Sequence, residues 1–303
     1  MTGVEGEWNP MLNGEGDGAV TEEITLRRAL PRDREAVARV ESQATPNLSY
    51  LPQVFDLFLN DPQGDFSVAE VGGRVVACAK FTVLPDGSAW LEALRVLPDY
   101  QGLGIGKRFY RNFFAIAGDR GISTLRMYTN IANEKSKGLA ERFGFQWVAT
   151  YRGAQIPTAE ISGTADSTGF QPVTDPRRAA DLLMPHCEEW TGFLVMNRTF
   201  FPFVPATCAR WATEGKVYED PGTGDVIVLG ARFMPKQALH IAFAEGEPAR
   251  WLHFARRVAR ASDIERIQCM YPPRRADVEA FLLGKGFRPD AYDCIVMEAT
   301  IQR

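Results

Sequence analysis

The chain has 303 residues, of which 45% are hydrophobic, 11% aromatic and 24% charged, and its net charge is −4. That balance excludes a disordered, collagen-like or coiled-coil chain, and the lack of a basic field argues against a general nucleic-acid binder. No stretch reaches the ~18 apolar residues of a membrane span.

The opening segment Met1–Pro10 has neither a basic nor an apolar stretch of the secretory kind, so the expectation is a cytoplasmic protein with no membrane partner. Residues 1–22, rich in Gly, Asp and Glu, read as a flexible tail. A short strand is expected at Ile24–Arg28, then a helix from Asp33 to about Gln43 with Ala36, Val37 and Val40 on one face. A loop, Ala44–Tyr50, leads to a second helix opened by Pro52 and ended by Asp61-Pro62. Three strands follow, Phe66–Val71, Arg74–Val83 and Ala89–Val96, the first two joined by the hairpin signal Gly72-Gly73. Beyond a Gly-rich segment, Lys107–Ala117 reads as a helix, Thr124–Thr129 as a strand, Asn133–Arg142 as a helix closed by Gly144, and Gln146–Tyr151 as a strand. The polar, Gly/Thr/Ser/Pro-rich stretch 153–175 reads as a linker.

The remainder, 176–303, begins with a helix over Arg177–Glu189 and an aromatic run, Phe193–Phe203. Strands are expected at Val226–Phe233 and Gln237–Ala244, a helix at Ala249–Arg260, a strand at Ile264–Met270, a helix at Ala276–Lys285 and a strand at Tyr292–Thr300. Both halves therefore end in the order hairpin, helix, strand, helix, strand. Their last helices close alike, in Phe143-Gly144-Phe145 and Lys285-Gly286-Phe287, which points to an internal duplication. The five cysteines, Cys78, Cys187, Cys208, Cys269 and Cys294, contain no CxxC pair and read as reduced, mostly buried thiols; no metal is expected.

The most informative stretch is Leu91–Lys107, where a strand enters a loop with Gly102, Gly104 and Gly106 and the loop opens a helix. Glycine lets successive N–H groups turn inward, and the helix N-terminus adds positive character, so the loop suits a diphosphate. A P-loop is excluded because no Gly-Lys-Ser/Thr closes it, and a dinucleotide fingerprint expects its glycines after the first strand.

Gln101-Gly102-Leu103-Gly104-Ile105-Gly106 after Val96-Leu97-Pro98, together with Asn133-x-x-Ser136-x-x-Leu139 closing in Phe143-Gly144-Phe145, resembles the GNAT superfamily of acyl-CoA N-acyltransferases. The resemblance covers about residues 24–151. A narrower similarity to the histidine N-acetyltransferase-like branch rests on Tyr50-Leu51-Pro52, Phe55, Phe58-Leu59, Asp61-Pro62 and Leu91–Val96. The implied fold is a mixed α/β sheet of GNAT type over 23–152, in tandem with a degenerate GNAT-like half over 176–303.

The resemblance implies acetyl-CoA as co-substrate. The backbone of Leu94, Arg95 and Val96 would pair with pantetheine. Gln101, Gly102, Leu103, Gly104, Ile105, Gly106 and Lys107 would hold the pyrophosphate, and Asn133 and Ser136 would line the cofactor. A splay between the strands at 89–96 and 124–129 would expose the thioester. Asn47, Ser49 and Tyr50 would wall the acceptor.

For acid–base work Glu92 is the candidate base, partly desolvated in mid-strand and, by strand alternation, on the face of Leu94 and Val96. The alternative is a Glu paired to a nearby Arg or Lys. The family often carries a Tyr after the Leu of the second motif; here Ala140 follows Leu139, which leaves thiolate protonation to another Tyr, with Tyr128 and Tyr50 as candidates, to water, or to no specific residue. The second half has Glu245, Glu247 and Pro248 where donors would be needed, so it is expected to bind no CoA.

The expected activity is acetyl transfer to a small-molecule amine, such as an amino acid, by a monomer or homodimer. The alternatives are a CoA-binding regulator without catalysis, or an enzyme acting on protein N-termini or lysines.

Overall fold

Gly72 and Gly73 both adopt positive φ, 57° and 75°, and so make the tight turn between two strands whose small and aromatic residues are almost all buried. The structure, a computed structural model, describes residues 23–46, 48–161 and 169–301. The expected tail, Asn47 and part of the expected linker lie outside the described residues.

In chain order the first half contains β1 (Ile24–Arg28), α1 (Arg34–Ala44), α2 (Leu51–Leu59), β2 (Asp65–Val71), β3 (Arg74–Val83) and β4 (Ala89–Val96). It continues with α3 (Ile105–Asp119), β5 (Thr124–Asn130), α4 (Glu134–Glu141) and β6 (Gln146–Pro157). Then come β7 (Gln171–Pro172), α5 (Pro176–Leu183), the hairpin β8 (Phe193–Met196) and β9 (Thr199–Pro202), and α6 (Pro205–Thr213). The chain goes on through β10 (Val217–Asp220), β11 (Asp225–Gly230), β12 (Ala238–Glu245), α7 (Pro248–Ala261), β13 (Arg266–Tyr271), α8 (Ala276–Gly284), β14 (Arg288–Pro289) and β15 (Cys294–Thr300).

One mixed sheet runs through both halves in the order β1-β2-β3-β4-β5-β15-β6-β13-β12-β11-β10-β7, with β14 also on β6. The halves exchange strands. β15, from the end of the second half, lies antiparallel between β5 and the first part of β6. The second part of β6, Arg152–Pro157, in turn pairs with β13 and β14. The sequence therefore misplaces the start of the expected linker at 153–175, because residues 153–157 are strand. Gly153 permits this close approach: a Cβ there would lie 2.0 Å from the Asp290 carboxylate.

The exchange also divides the core. Ile295, Met297 and Ala299 of β15 join the apolar cluster of the first half, while Cys294 and Val296 join that of the second, as strand alternation dictates. All five cysteines are free, and burial pushes Cys78, Cys208 and Cys269 up to about 12. No helix among the described residues is long and apolar enough to cross a membrane.

Candidate active site

β4 and β5 run parallel and pair only at Ala89–Leu125, Trp90–Arg126 and Leu91–Met127. Beyond Leu91 they part, so the edge of β4 from Glu92 onward has no strand partner on that side. Ala93 sits at this point with φ 59°, uncommon for a residue with a side chain, and marks a bulge. The register across β3 shows its effect: Lys80 faces Glu92 and Cys78 faces Arg95. Directly paired residues share a face, so the bulge brings Glu92 and Arg95 to one side. The alternation argument had Glu92 on the face of Leu94; the extra residue in the strand overturns it.

The glycine loop lies beside this open edge. Gly102 and Gly104 take φ 85° and 80°, and nothing lies within 4 Å of where their Cβ atoms would be. Gly104 is the N-cap of α3 and offers no side chain to it; the first intrahelical bond is Arg108 N–H to Gly104 O. The N–H groups of Ile105, Gly106 and Lys107 therefore precede the helical ladder and are available to an anion. Leu103 and Lys107 are exposed. At Gly106 a Cβ would lie 2.9 Å from Leu139 and 4.0 Å from Leu94, so loop, α4 and β4 converge. Gln101 donates to the Val96 carbonyl at 3.2 Å, fixing the loop against the strand. Asn133 caps α4, its side-chain oxygen accepting the Ser136 N–H at 3.1 Å. Ala140 is fully buried, so α4 presents no phenol there.

The face of β4 that Glu92 and Arg95 share is rich in charge. Glu92 does not stand as a free carboxylate. Arg232, in the loop after β11, grips it with two 2.7 Å bonds, and Thr82 donates to it at 2.6 Å. The Glu92 side chain is 7% exposed and that of Arg232 15%. Burial opposes the Arg232 charge, and Glu92, with Tyr50 and Asp61 adding to it, raises the guanidinium pKa overall. Alongside, the fully buried Lys80 pairs with Asp61 at 2.6 Å; burial still lowers the lysine's pKa. Ser49 is exposed. Tyr50 stacks on Phe233 with centroids 5.6 Å apart and planes 4° apart, and Phe58 meets both rings edge-on. Glu41 accepts the N–H groups of Tyr50 and Leu51 and so anchors the start of α2.

Tyr128, on β5 across the splay, stacks on Trp90 and packs on Phe200. Burial pushes its phenol pKa up, with the charges of Arg198 and Arg95 pulling the other way. Tyr50 is raised too, by burial first. The structure thus gathers Glu92, Tyr50 and Tyr128 around the splay, with Arg95 among them.

The second half covers this face. The β8–β9 turn has Asn197 and Arg198 at φ 50° and 55°, the left-handed pair of a two-residue hairpin. The Asn197 side-chain oxygen accepts the N–H groups of Arg232 and Phe233 at 2.7 and 3.3 Å, and Thr199 accepts from Arg232 at 2.6 Å. Hairpin and loop hold each other over Glu92 and Tyr50.

The corresponding junction of the second half is closed. β12 and β13 pair only from Ala238–Arg266 to Ile241–Cys269, which repeats the splay. Glu247 caps α7 with its own side chain, and Asp225 accepts the Glu247 N–H while pairing with Arg250. Arg275, at the N-cap of α8, bridges to Glu245, which also accepts from Trp190. His186 lies 3.9 Å from Glu189 and from Glu245, a grouping in which Arg275 already neutralises Glu245.

A strand splay beside a glycine-rich turn at a helix start is also the arrangement that comparison with known proteins bears on. Residues 34–145 match the acetyltransferase (GNAT) family, and the chain as a whole shares the fold of GNAT proteins, a tandem one among them. A GCN5-related N-acetyltransferase from Sphaerobacter thermophilus superposes with a TM-score of 0.63 at 14% identity, over 92% of this chain and 96% of the other. A tandem GNAT protein from the clavulanic acid biosynthesis pathway gives 0.58 at 14% identity, over 93% and 99%. A GCN5-related N-acetyltransferase from Kribbella flavida gives 0.52 at 16% identity, over 93% and 72%. Against curated proteins the sequence has no significant match.

Proposed function

We propose that this chain transfers an acetyl group from acetyl-CoA to the amine of a small molecule, with one cofactor site in the first half. The observation that carries the reading is the unpartnered edge of β4 beyond Leu91, lying between the glycine cradle and the roof supplied by the second half. The roof over Glu92 and Tyr50 favours a small acceptor over a protein chain. The N–H groups of Gly102 to Lys107 hold the pyrophosphate, the freed edge of Leu94–Val96 aligns pantetheine, and Asn133 and Ser136 lie at the cofactor's flank.

The amine nitrogen attacks the thioester carbonyl, the C–S bond breaks, and one proton leaves the amine while the thiolate gains one. Tyr128, kept protonated by burial, is the donor this site offers. Glu92, with both oxygens engaged, acts as a positioning residue that holds Arg232 and its loop in place, and water takes the amine proton. The second half, its helix start capped by its own carboxylates, binds no CoA.

The test is release of free thiol from acetyl-CoA with a panel of amines, with the acetylated product identified by mass. The second reading, a CoA-binding regulator, is favoured by Ala140 and by the Glu92–Arg232 pair. Tight acetyl-CoA binding with no thiol release from any amine would select it.

A further inference from the structure

Arg95 lies on the acceptor face of β4, beside Glu92, because of the bulge at Ala93. Its guanidinium is the one cationic group described at this face without a carboxylate in ion-pair contact. Arg232 is matched by Glu92, Lys80 by Asp61 and Arg198 by Asp290. Arg95 makes one hydrogen bond, from Nη1 to its neighbour's carbonyl, Leu94 O, at 3.0 Å. Its Nε is buried and has no partner. Glu41 acts on Arg95 through space, but both its oxygens are spent on the N–H groups of Tyr50 and Leu51.

A buried guanidinium donor left unmet is costly, and at a splayed strand edge a ligand group can meet it. An arginine fork fits a planar carboxylate with two parallel bonds. Arg95 also stands three residues beyond Glu92, on the stretch of β4 that has left β5 and that the proposed reading assigns to the pantetheine.

Building on the acetyltransferase reading, we infer that the acceptor carries a carboxylate beside its amine and that Arg95 is the residue that recognises it. Arg198, poised on the other bank with its fork turned to Asp290 and Cys294, adds positive potential at longer range. Amines without a carboxylate, whether mono- or dicationic, then bind weakly, because they leave the Arg95 donors unmet.

The experiment compares matched acceptors that differ by the carboxylate: alanine with ethylamine, phenylalanine with phenethylamine, lysine with cadaverine. Thiol release gives kcat/KM for each, in the wild type and in Arg95→Gln and Arg95→Lys. The expected result is a wild-type preference for the amino acid of each productive pair by tenfold or more, held mainly in KM. Arg95→Gln should erase that preference by losing only the amino-acid partner, and Arg95→Lys should restore part of it. Amine basicity differs within a pair but cancels when wild type and variant are compared. A preference unchanged in Arg95→Gln, or a wild type that favours the decarboxylated amines, overturns the inference and leaves the transferase reading standing. Thiol release from none of the six, with acetyl-CoA bound in calorimetry, overturns both.

Discussion

Arg232 and Glu92 stand 140 residues apart and meet in a two-bond fork, each bond 2.7 Å long, that ties the second half to the active face of the first. Truncating one partner of a buried pair strands the other's charge, which typically costs ~3–5 kcal/mol. Glu92→Gln and Arg232→Gln should each destabilise the fold on that scale, and the double variant should lose clearly less than their sum. Chemical denaturation of the four proteins measures the coupling. The same pairing predicts that activity lost in Glu92→Gln does not return as the pH rises. Recovery at high pH would show that Glu92 is a base after all.

Gly104 tolerates a left-handed backbone and points open space at the cradle. Gly104→Asp sets a carboxylate against the pyrophosphate position while leaving the core untouched. Acetyl-CoA affinity should fall at least tenfold in calorimetry, with an unaltered circular dichroism spectrum.

The two halves differ at their helix starts: glycine at α3, and Glu247 with Asp225 at α7. A titration with acetyl-CoA should saturate at one equivalent per chain. A second equivalent would mean that the carboxylates of the second half swing away from the helix.

His240 is buried on β12, its Nε2 without a partner, near Arg198 and Arg266. Burial, helped by those two charges, lowers its pKa to about 3. The folded protein therefore keeps His240 neutral, whereas the unfolded chain takes up a proton below ~6.5. Stability should fall as the pH drops from about 6.5 toward 3, by up to ~1.4 kcal/mol per pH unit from this group. His240→Gln does not titrate and should flatten that part of the curve. Denaturation midpoints between pH 7 and 4 for both proteins check it.

Much of the first half could be read in advance, because its signals are local. Gly72-Gly73 makes its turn, Pro52 falls in the first turn of its helix, and Gly102–Gly106 leads its strand into a helix. The failures share a cause: they depend on residues distant in sequence. The bulge at Ala93 carries no marker in Leu91–Val96, since alanine is not a usual bulge residue, yet it decides which face Glu92 and Arg95 share. Arg232 and Phe233 look like the end of a strand, and only the hairpin at Asn197 turns them onto the first half. The continuation of β6 past Tyr151 was hidden by Gly153, which resembles a linker residue and serves to admit Asp290.

The exchange of β15 has a consequence for how the molecule comes into being. Tyr128 and its neighbours on β5 are paired with Val296 and its neighbours, which are made only after β6 to β14. The half that carries the glycine loop is made before them, and its sheet stays open between β5 and β6 until β15 arrives. Domain-by-domain folding during synthesis, the usual course for long chains, is closed to this one. The nascent protein must guard two exposed strand edges until β15 is made, and the sheet of the first half closes only then.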